Sequence, residues 1–362
     1  MHLRFLIITS AWLLFTAGTY GAPLETIRQQ FEIYQRFTGE LDVLSGDNTE
    51  EIDKVLKRTE EKRLTVRKTL DNTLSKNSPK INLPSPLAVE SYIAPIFHYV
   101  TVERAVALRA LQQGESNDAM LTLRYIYRLA DELADTESLK LRAAAAQMRL
   151  QTLEIVQSLL LSPYCRREHH EQLFKIFDDL VNLRPTDRAV WTRYLDEGKQ
   201  FFEEIPRREL DSMVSQDLQK ELQERRAFEG YKKAAVERFM HDQSAFQRVM
   251  PIVIESCSLP FFKRAPMLRQ LDEALRERQG TDTEPVFSIL LLRDVTETMR
   301  LFTQEQSGNE TAYLALSAAL GDQPRRRIIN FLTGNEYKFP LIMNGIACTY
   351  EGNIKPFYVP YR

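Results

Sequence analysis

The chain has 362 residues, with 43% hydrophobic and 27% charged residues, so it can build a packed core and disorder is not expected. Its 13 glycines and formal net charge of −2 narrow the field of functions. No G-x-G, P-loop or G-x-S-x-G occurs, which removes the dinucleotide, phosphate-loop and nucleophile-elbow motifs, and near-neutrality gives no bulk attraction to nucleic acid.

The first 21 residues have the form of a secretory leader. Arg4 supplies the positive start, residues 5–15 are apolar apart from Thr9 and Ser10, and Thr19 and Gly21 are small residues placed for cleavage before Ala22. The apolar run is short against the roughly 20 residues of a membrane span. Loss of Arg4 with the leader moves the net charge from −2 to −3. The expectation is an exported protein, periplasmic or extracellular, with no transmembrane segment after cleavage.

Residues 24–45 place Leu24, Ile27, Phe31, Tyr34, Phe37, Leu41 and Leu44 at steps of three and four, the spacing of an amphipathic helix. Ser45-Gly46-Asp47-Asn48 ends it. A second helix starts at Thr49, with Ile52, Val55, Val66, Leu70 and Leu74 on one side, so residues 22–80 read as a helical hairpin. Three prolines within residues 78–86 make a linker.

Residues 87–320 read as a helical scaffold. Helices are expected at 100–113, 118–134, 138–161, 170–182 and 187–204, then along 206–249. In 138–161 a narrow polar stripe (Lys140, Gln147, Gln151, Glu154, Ser158) leaves the other faces apolar, which places that helix inside a bundle. Pro251, Pro260 and Pro266 suggest an irregular crossing, followed by helices at 267–278, 286–306 and 312–320. Residues 321–362 change character. Glycines, aromatics and the turn signals Asn344-Gly345 and Glu351-Gly352-Asn353 predict a small β-hairpin or three-strand element. The fold class expected is mainly α: stacked helical hairpins in a bundle or irregular solenoid, with a small β-containing tail.

Two resemblances accompany this reading. Residues 104–111, Gly114 and Ala119-Met120-Leu121, with Leu183-Arg184-Pro185-Thr186 before Val190-Trp191, resemble helix–turn–helix units of tetratricopeptide type. Phe331-Leu332-Thr333-Gly334 followed by Tyr337 and a hairpin resembles the β tail of pseudopilin-like domains, which uncharacterised exported bacterial helical proteins also carry. The first resemblance implies a stacked helical surface suited to a protein partner. The second implies an envelope location.

Candidate chemistry is sparse, and no cofactor is expected. Glu168-His169-His170-Glu171 places its histidines about 100° apart on a helix, so they do not chelate one ion from one face, and no metal site is expected there. His241-Asp242 is the sharpest catalytic candidate. All-helical metal phosphohydrolases use such a pair, with a further His and Asp, to hold a water-activating metal; His169 or His170 and Asp272 or Asp294 are the available additions. The bland reading of His241 is a residue near a helix C-terminus. Asp178-Asp179, Glu203-Glu204 and Asp272-Glu273 read as solvated faces.

Arg325-Arg326-Arg327 is the densest basic cluster, a candidate contact for lipid head groups or an acidic protein. Phe261, Phe262, Tyr358 and Tyr361 could line a groove, but core is expected. Cys165, Cys257 and Cys348 are expected as buried thiols, with disulfide pairing open to an exported chain. Asn309-Glu310-Thr311 is a glycosylation sequon. Together these readings predict an exported, non-catalytic protein that binds or scaffolds another envelope protein. The alternative is a metal-assisted hydrolase using His241 and Asp242, and contact with a membrane surface is a third reading.

Overall fold

A computed structural model describes residues 27–29, 31–43, 49–74, 90–135, 138–182, 187–204, 235–281, 284–292, 295–321, 329–342, 345–349 and 357–360. The leader-like residues 1–21, the proline-rich residues 78–86, most of the 206–249 pattern and Arg325–Arg327 lie outside them. The described helices are α1 (Phe31–Val43), α2 (Thr49–Leu74), α3 (Glu90–Gln112), α4 (Ser116–Ala134), α5 (Leu139–Leu161), α6 (Arg167–Asn182), α7 (Arg188–Glu204), α8 (Ala235–Ser256), α9 (Phe261–Arg278), α10 (Val286–Leu292) and α11 (Val295–Leu320). Three strands follow: β1 (Leu341–Ile342), β2 (Gly345–Cys348) and β3 (Phe357–Pro360). The mainly α fold with a small β tail is therefore as expected.

Helix α5 sits in the middle, against α3, α4, α11 and β3. Its small side chains make this possible: Ala143 to Ala146 are all buried, and close approach of a partner helix needs small residues. Helix α11 is the other central element and runs unbroken through residues 307–311, where the sequence suggested a gap. Gly308 explains the continuity. A Cβ there would meet Leu153 Cδ1 of α5 at 2.6 Å, so the glycine marks close packing of two helices.

Among the described residues, two hydrophobic cores share these central helices. The first joins α1–α6, the C-terminal half of α11 and the sheet, from Tyr34, Tyr99 and Phe177 to Phe357 and Val359. The second joins α7–α10 and the N-terminal half of α11 around Trp191, Phe246, Phe287 and Phe302. Helix α5 supplies Leu141, Ala145 and Met148 to the first and Ala143 and Ala146 to the second.

The proline-rich crossing is a correction. Pro251 lies within α8 and Pro266 within α9; only Pro260 stands between helices. Each interior proline removes an amide from the ladder, but the residues four positions earlier, Gln247 and Phe262, are on the exposed side where their carbonyls can meet water.

The sheet is antiparallel in the order β1-β2-β3, with Ala347 opposite Tyr358 and Cys348 opposite Phe357. At the β3 edge, the Gln157 side chain of α5 stands in for a strand. Its Oε1 accepts from the Tyr358 N–H at 2.7 Å and its Nε2 donates to the Tyr358 carbonyl at 3.1 Å. This caps an edge that would otherwise offer open ladder positions. Gly345 is required on steric grounds, because a Cβ there would lie 2.1 Å from the Val359 carbonyl oxygen.

Candidate functional site

The catalytic candidates His241 and Asp242 separate in space. Both lie on α8, which continues to Ser256, so His241 is not near a helix C-terminus. His241 is exposed, on a face with Met240, Ser244, Gln247 and Arg248. Asp242 is fully buried. Its carboxylate accepts from the backbone amides of Phe287 and Ser288 at 2.8 and 2.7 Å, while the Ser288 hydroxyl donates to the Asp242 carbonyl. Those amides belong to the first turn of α10, where helical partners are lacking. Asp242 therefore caps α10 from a neighbouring helix, and its two oxygens are directed to backbone rather than to His241.

The other histidines also have structural surroundings. His169 Nδ1 accepts from the Arg166 amide at 2.9 Å, and its Nε2 lies 2.8 Å from Asn117 Oδ1. This joins the start of α6 to the start of α4. His170 is buried and lines a crevice beside the sheet. Among the described residues, no three His, Cys, Asp or Glu side chains are grouped to hold a metal ion.

One carboxylate pair divides in the same way. Asp272 is partly buried, accepts from Thr296 Oγ1 at 3.1 Å and has its pKa raised by burial, whereas Glu273 is exposed. Asp294 and Arg325–Arg327 lie outside the described residues. The sequon does not present an acceptor in the folded chain, because Asn309 is buried in the middle of α11 and Thr311 Oγ1 bonds the Ser307 carbonyl. None of the three cysteines is in a disulfide: Cys165 and Cys348 are buried thiols and Cys257 is half-buried. Burial raises the pKa of Cys257 and of Cys348 to about 12.

Sequence reasoning missed a buried ionic junction between the two cores. Glu305 of α11 is 1% exposed and bridges Arg142 and Arg149, both buried on α5. The Arg149 contact is 2.6 Å, and Arg142 also reaches Asp187 at 3.1 Å. Arg149 continues to Asp131 on α4, and the Arg142 guanidinium lies 4.5 Å from the centre of the Phe302 ring. Five charged side chains thus tie α4, α5, the start of α7 and α11 together. A second buried carboxylate, Glu103, pairs with Arg67 at 2.6 Å and Arg63 at 3.3 Å, fastening α2 to α3. A third, Glu310, accepts from the Tyr337 hydroxyl, which in turn accepts from Asn330 Nδ2 at 2.9 Å. That contact holds the tail on the centre of α11. The only sequence signal was spacing: Arg142 and Arg149 are seven apart on one face of a helix whose neighbours are apolar.

The surface carries the other notable arrangement. Where α9 begins, the Phe261 amide donates to the Phe331 carbonyl at 2.8 Å, and the Phe262 ring covers Gly334. Around this joint Leu259, Phe262, Ile329 and Phe331 are all exposed. The expectation of buried aromatics therefore fails for Phe262, and also for Tyr358, whose position on β3 alternates outward between buried Phe357 and Val359. Among the described residues no helix is long and apolar enough to cross a membrane.

Comparison with known families, characterised proteins and solved structures finds none that matches this chain.

Proposed function

We propose that this chain is an exported, non-catalytic helical protein that binds another protein of the cell envelope. The observation that carries the reading is the joint of α9 with the tail, where Leu259, Phe262, Ile329 and Phe331 leave large apolar side chains in water. Clustered exposed apolar groups of this kind mark interaction sites more often than scattered ones do. The helices behind them supply a rigid support, because α9 is fastened to α11 through the buried Arg264–Thr303 hydrogen bond of 2.8 Å. The leader-like N-terminus supports the envelope as the place of action.

The test is cross-linking in cells of the tagged chain, with isolation from the envelope fraction and mass spectrometry. A recurrent stoichiometric partner is expected with the natural chain, lost on the double change Phe262→Ser and Phe331→Ser while the thermal midpoint is retained. The purified protein is expected to begin at Ala22. A partner that survives the double change would move the interface elsewhere. Absence of any partner would remove the binding reading, and an intact residue 1–21 segment in a cytosolic fraction would remove export.

A further inference from the structure

The two edges of the tail sheet are finished differently. At the β3 edge, the Gln157 side chain takes up the open ladder positions of Tyr358. At the other edge, the pairing of β1 with β2 extends back to Lys338, which exchanges backbone hydrogen bonds with Thr349 at 2.7 and 3.0 Å. The Ala347 amide donates to the Pro340 carbonyl at 3.1 Å, and Leu341 stands opposite Ile346 in the same register. Alternate residues of an antiparallel strand turn their backbone groups to opposite sides. Lys338 and Pro340 therefore turn theirs toward β2, whereas Phe339 and Leu341 turn theirs to the open edge. No backbone partner among the described residues meets those outward groups. An edge proline ordinarily blunts the edge, because its missing N–H falls on the open side. Here it falls on the β2 side, so the outward donors at positions 339 and 341 are intact.

The same two residues carry uncovered apolar side chains. The register sets Phe339 opposite Cys348 and Leu341 opposite Ile346, and these oppose Phe357 and Val359 of β3. Directly opposite residues share a face, and this row packs into the first core at β2 and β3. At β1 it runs out past the helices, leaving Phe339 40% and Leu341 75% exposed. We propose that a second copy of this chain pairs with this edge, β1 to β1 and antiparallel, about a two-fold axis at Pro340. Self-complementarity argues for that occupant. With the two prolines facing each other, Phe339 of each copy falls opposite Leu341 of the other, and every outward amide meets an outward carbonyl. The prolines take the non-hydrogen-bonded position between them, where a missing N–H costs nothing. Each phenylalanine lies beside a leucine on one face, and Lys338 falls opposite position 342 rather than its own counterpart, so no like charges meet there. Such an isologous contact closes at two copies, and its shortness makes it a weak one. It uses none of the α9-joint residues and does not rest on the partner proposed above.

The experiment is sedimentation velocity on the chain as isolated from cells, from about 1 μM to about 1 mM, the range of weak association. A monomer–dimer equilibrium is expected, with hydrogen exchange at the Phe339 and Leu341 amides slowing as concentration rises. Leu341→Pro removes one outward donor from each copy and no bond to β2, so it is expected to weaken association about tenfold or more while the thermal midpoint is retained. Should that variant fail to fold, Leu341→Lys replaces it, since the exposed position accepts a charge that the paired face does not. Cysteine substitutions fix the register. Opposed Cα atoms of a non-hydrogen-bonded pair lie about 4.5 Å apart, within disulfide reach, so Pro340→Cys is expected to cross-link two copies on mild oxidation. Leu341→Cys, whose counterpart lies on a diagonal of about 7–8 Å, is expected to cross-link more slowly. A monomer throughout the range, a dimer unchanged in the folded variants, or faster cross-linking from Leu341→Cys would overturn the proposal. Protection of the two amides that does not vary with concentration would overturn it as well, because the edge would then be covered by something other than a second copy.

Discussion

Replacing Glu305 by alanine tests the central claim about how the two cores are joined. The carboxylate is 1% exposed and holds two guanidinium groups whose side chains are 5% and 8% exposed. After the change, Arg142 retains Asp187 at 3.1 Å and Arg149 retains Asp131, so neither cation is left wholly alone. Both nevertheless lose their most buried partner. Breaking a buried pair by removing one member costs about 3–5 kcal/mol, because the remaining charge stays desolvated. Against a typical domain stability of about 5–15 kcal/mol, that is a large fraction.

Urea unfolding gives the readout. Apart from Trp12 in the leader-like segment, Trp191 is the only tryptophan, and it lies in the second core, so its fluorescence reports that half while far-UV circular dichroism reports the helices of both. The two midpoints should fall by a similar free energy with little change in slope. Two controls bound the interpretation. Arg36→Ala breaks the exposed Arg36–Glu40 pair and should stay within about 0.5 kcal/mol. Joint replacement of Arg142, Glu305 and Arg149 by Met, Leu and Met removes the three buried charges together and leaves the more exposed Asp131 and Asp187. It should recover most of the loss, since well-packed apolar residues often match a buried ionic group. A loss below about 1 kcal/mol for Glu305→Ala would refute the reasoning, because it would mean that water reaches the junction and screens it.

Asp242→Ala should cost about 1–2 kcal/mol in the same assay, as loss of a helix cap does, whereas exposed His241→Ala should be nearly neutral; equal effects would contradict the cap. Asp53 is held below its ordinary value of 3.8 chiefly by its hydrogen bonds from Arg109, so the stabilisation from this contact is present above that value and is lost as pH falls through the lowered one; carboxyl NMR titration should show the shift disappear in Arg109→Gln. The rise of Cys257 and Cys348 from 9.0 to about 12 cuts their thiolate fraction at pH 8 about a thousandfold, so labelling by a disulfide reagent should be slow in the folded chain and fast in urea. Gly345→Ala should break the β2–β3 pairing, since the added methyl meets a backbone carbonyl, and proteolysis of the tail is the sensitive readout.

The helices were legible where their apolar residues repeat at three and four, because that period survives any tertiary arrangement. Residues 138–161 show both the reach and the limit of this signal. The apolar excess placed α5 centrally, and its buried alanines bear that out. The same reading left Arg142 and Arg149 out of account, since burial of an arginine depends on a carboxylate that sits 163 or 156 positions away. Asp242 was illegible for the same reason: a side chain that caps a helix 45 residues later carries no local mark of that duty. The misplaced breaks have a different origin. Pro251, Pro266 and Gly308 are local punctuation, but solvent on one side or a close helix on the other removes their usual cost.

Periodicity reports which face of an element is apolar, while chemistry in a helical stack is decided by which polar groups are forced across that face. Here the forced groups are Arg142, Arg149, Glu305, Glu103 and Glu310, and the contacts described for each are within the protein itself: cation to carboxylate, or tyrosine to carboxylate. A buried charge already neutralised by its neighbours has little left to offer a substrate, whereas an exposed phenylalanine in water has apolar area still to be covered. That contrast is why the joint at Phe262 and Phe331, rather than any cluster of titratable residues, is the first place to seek a partner.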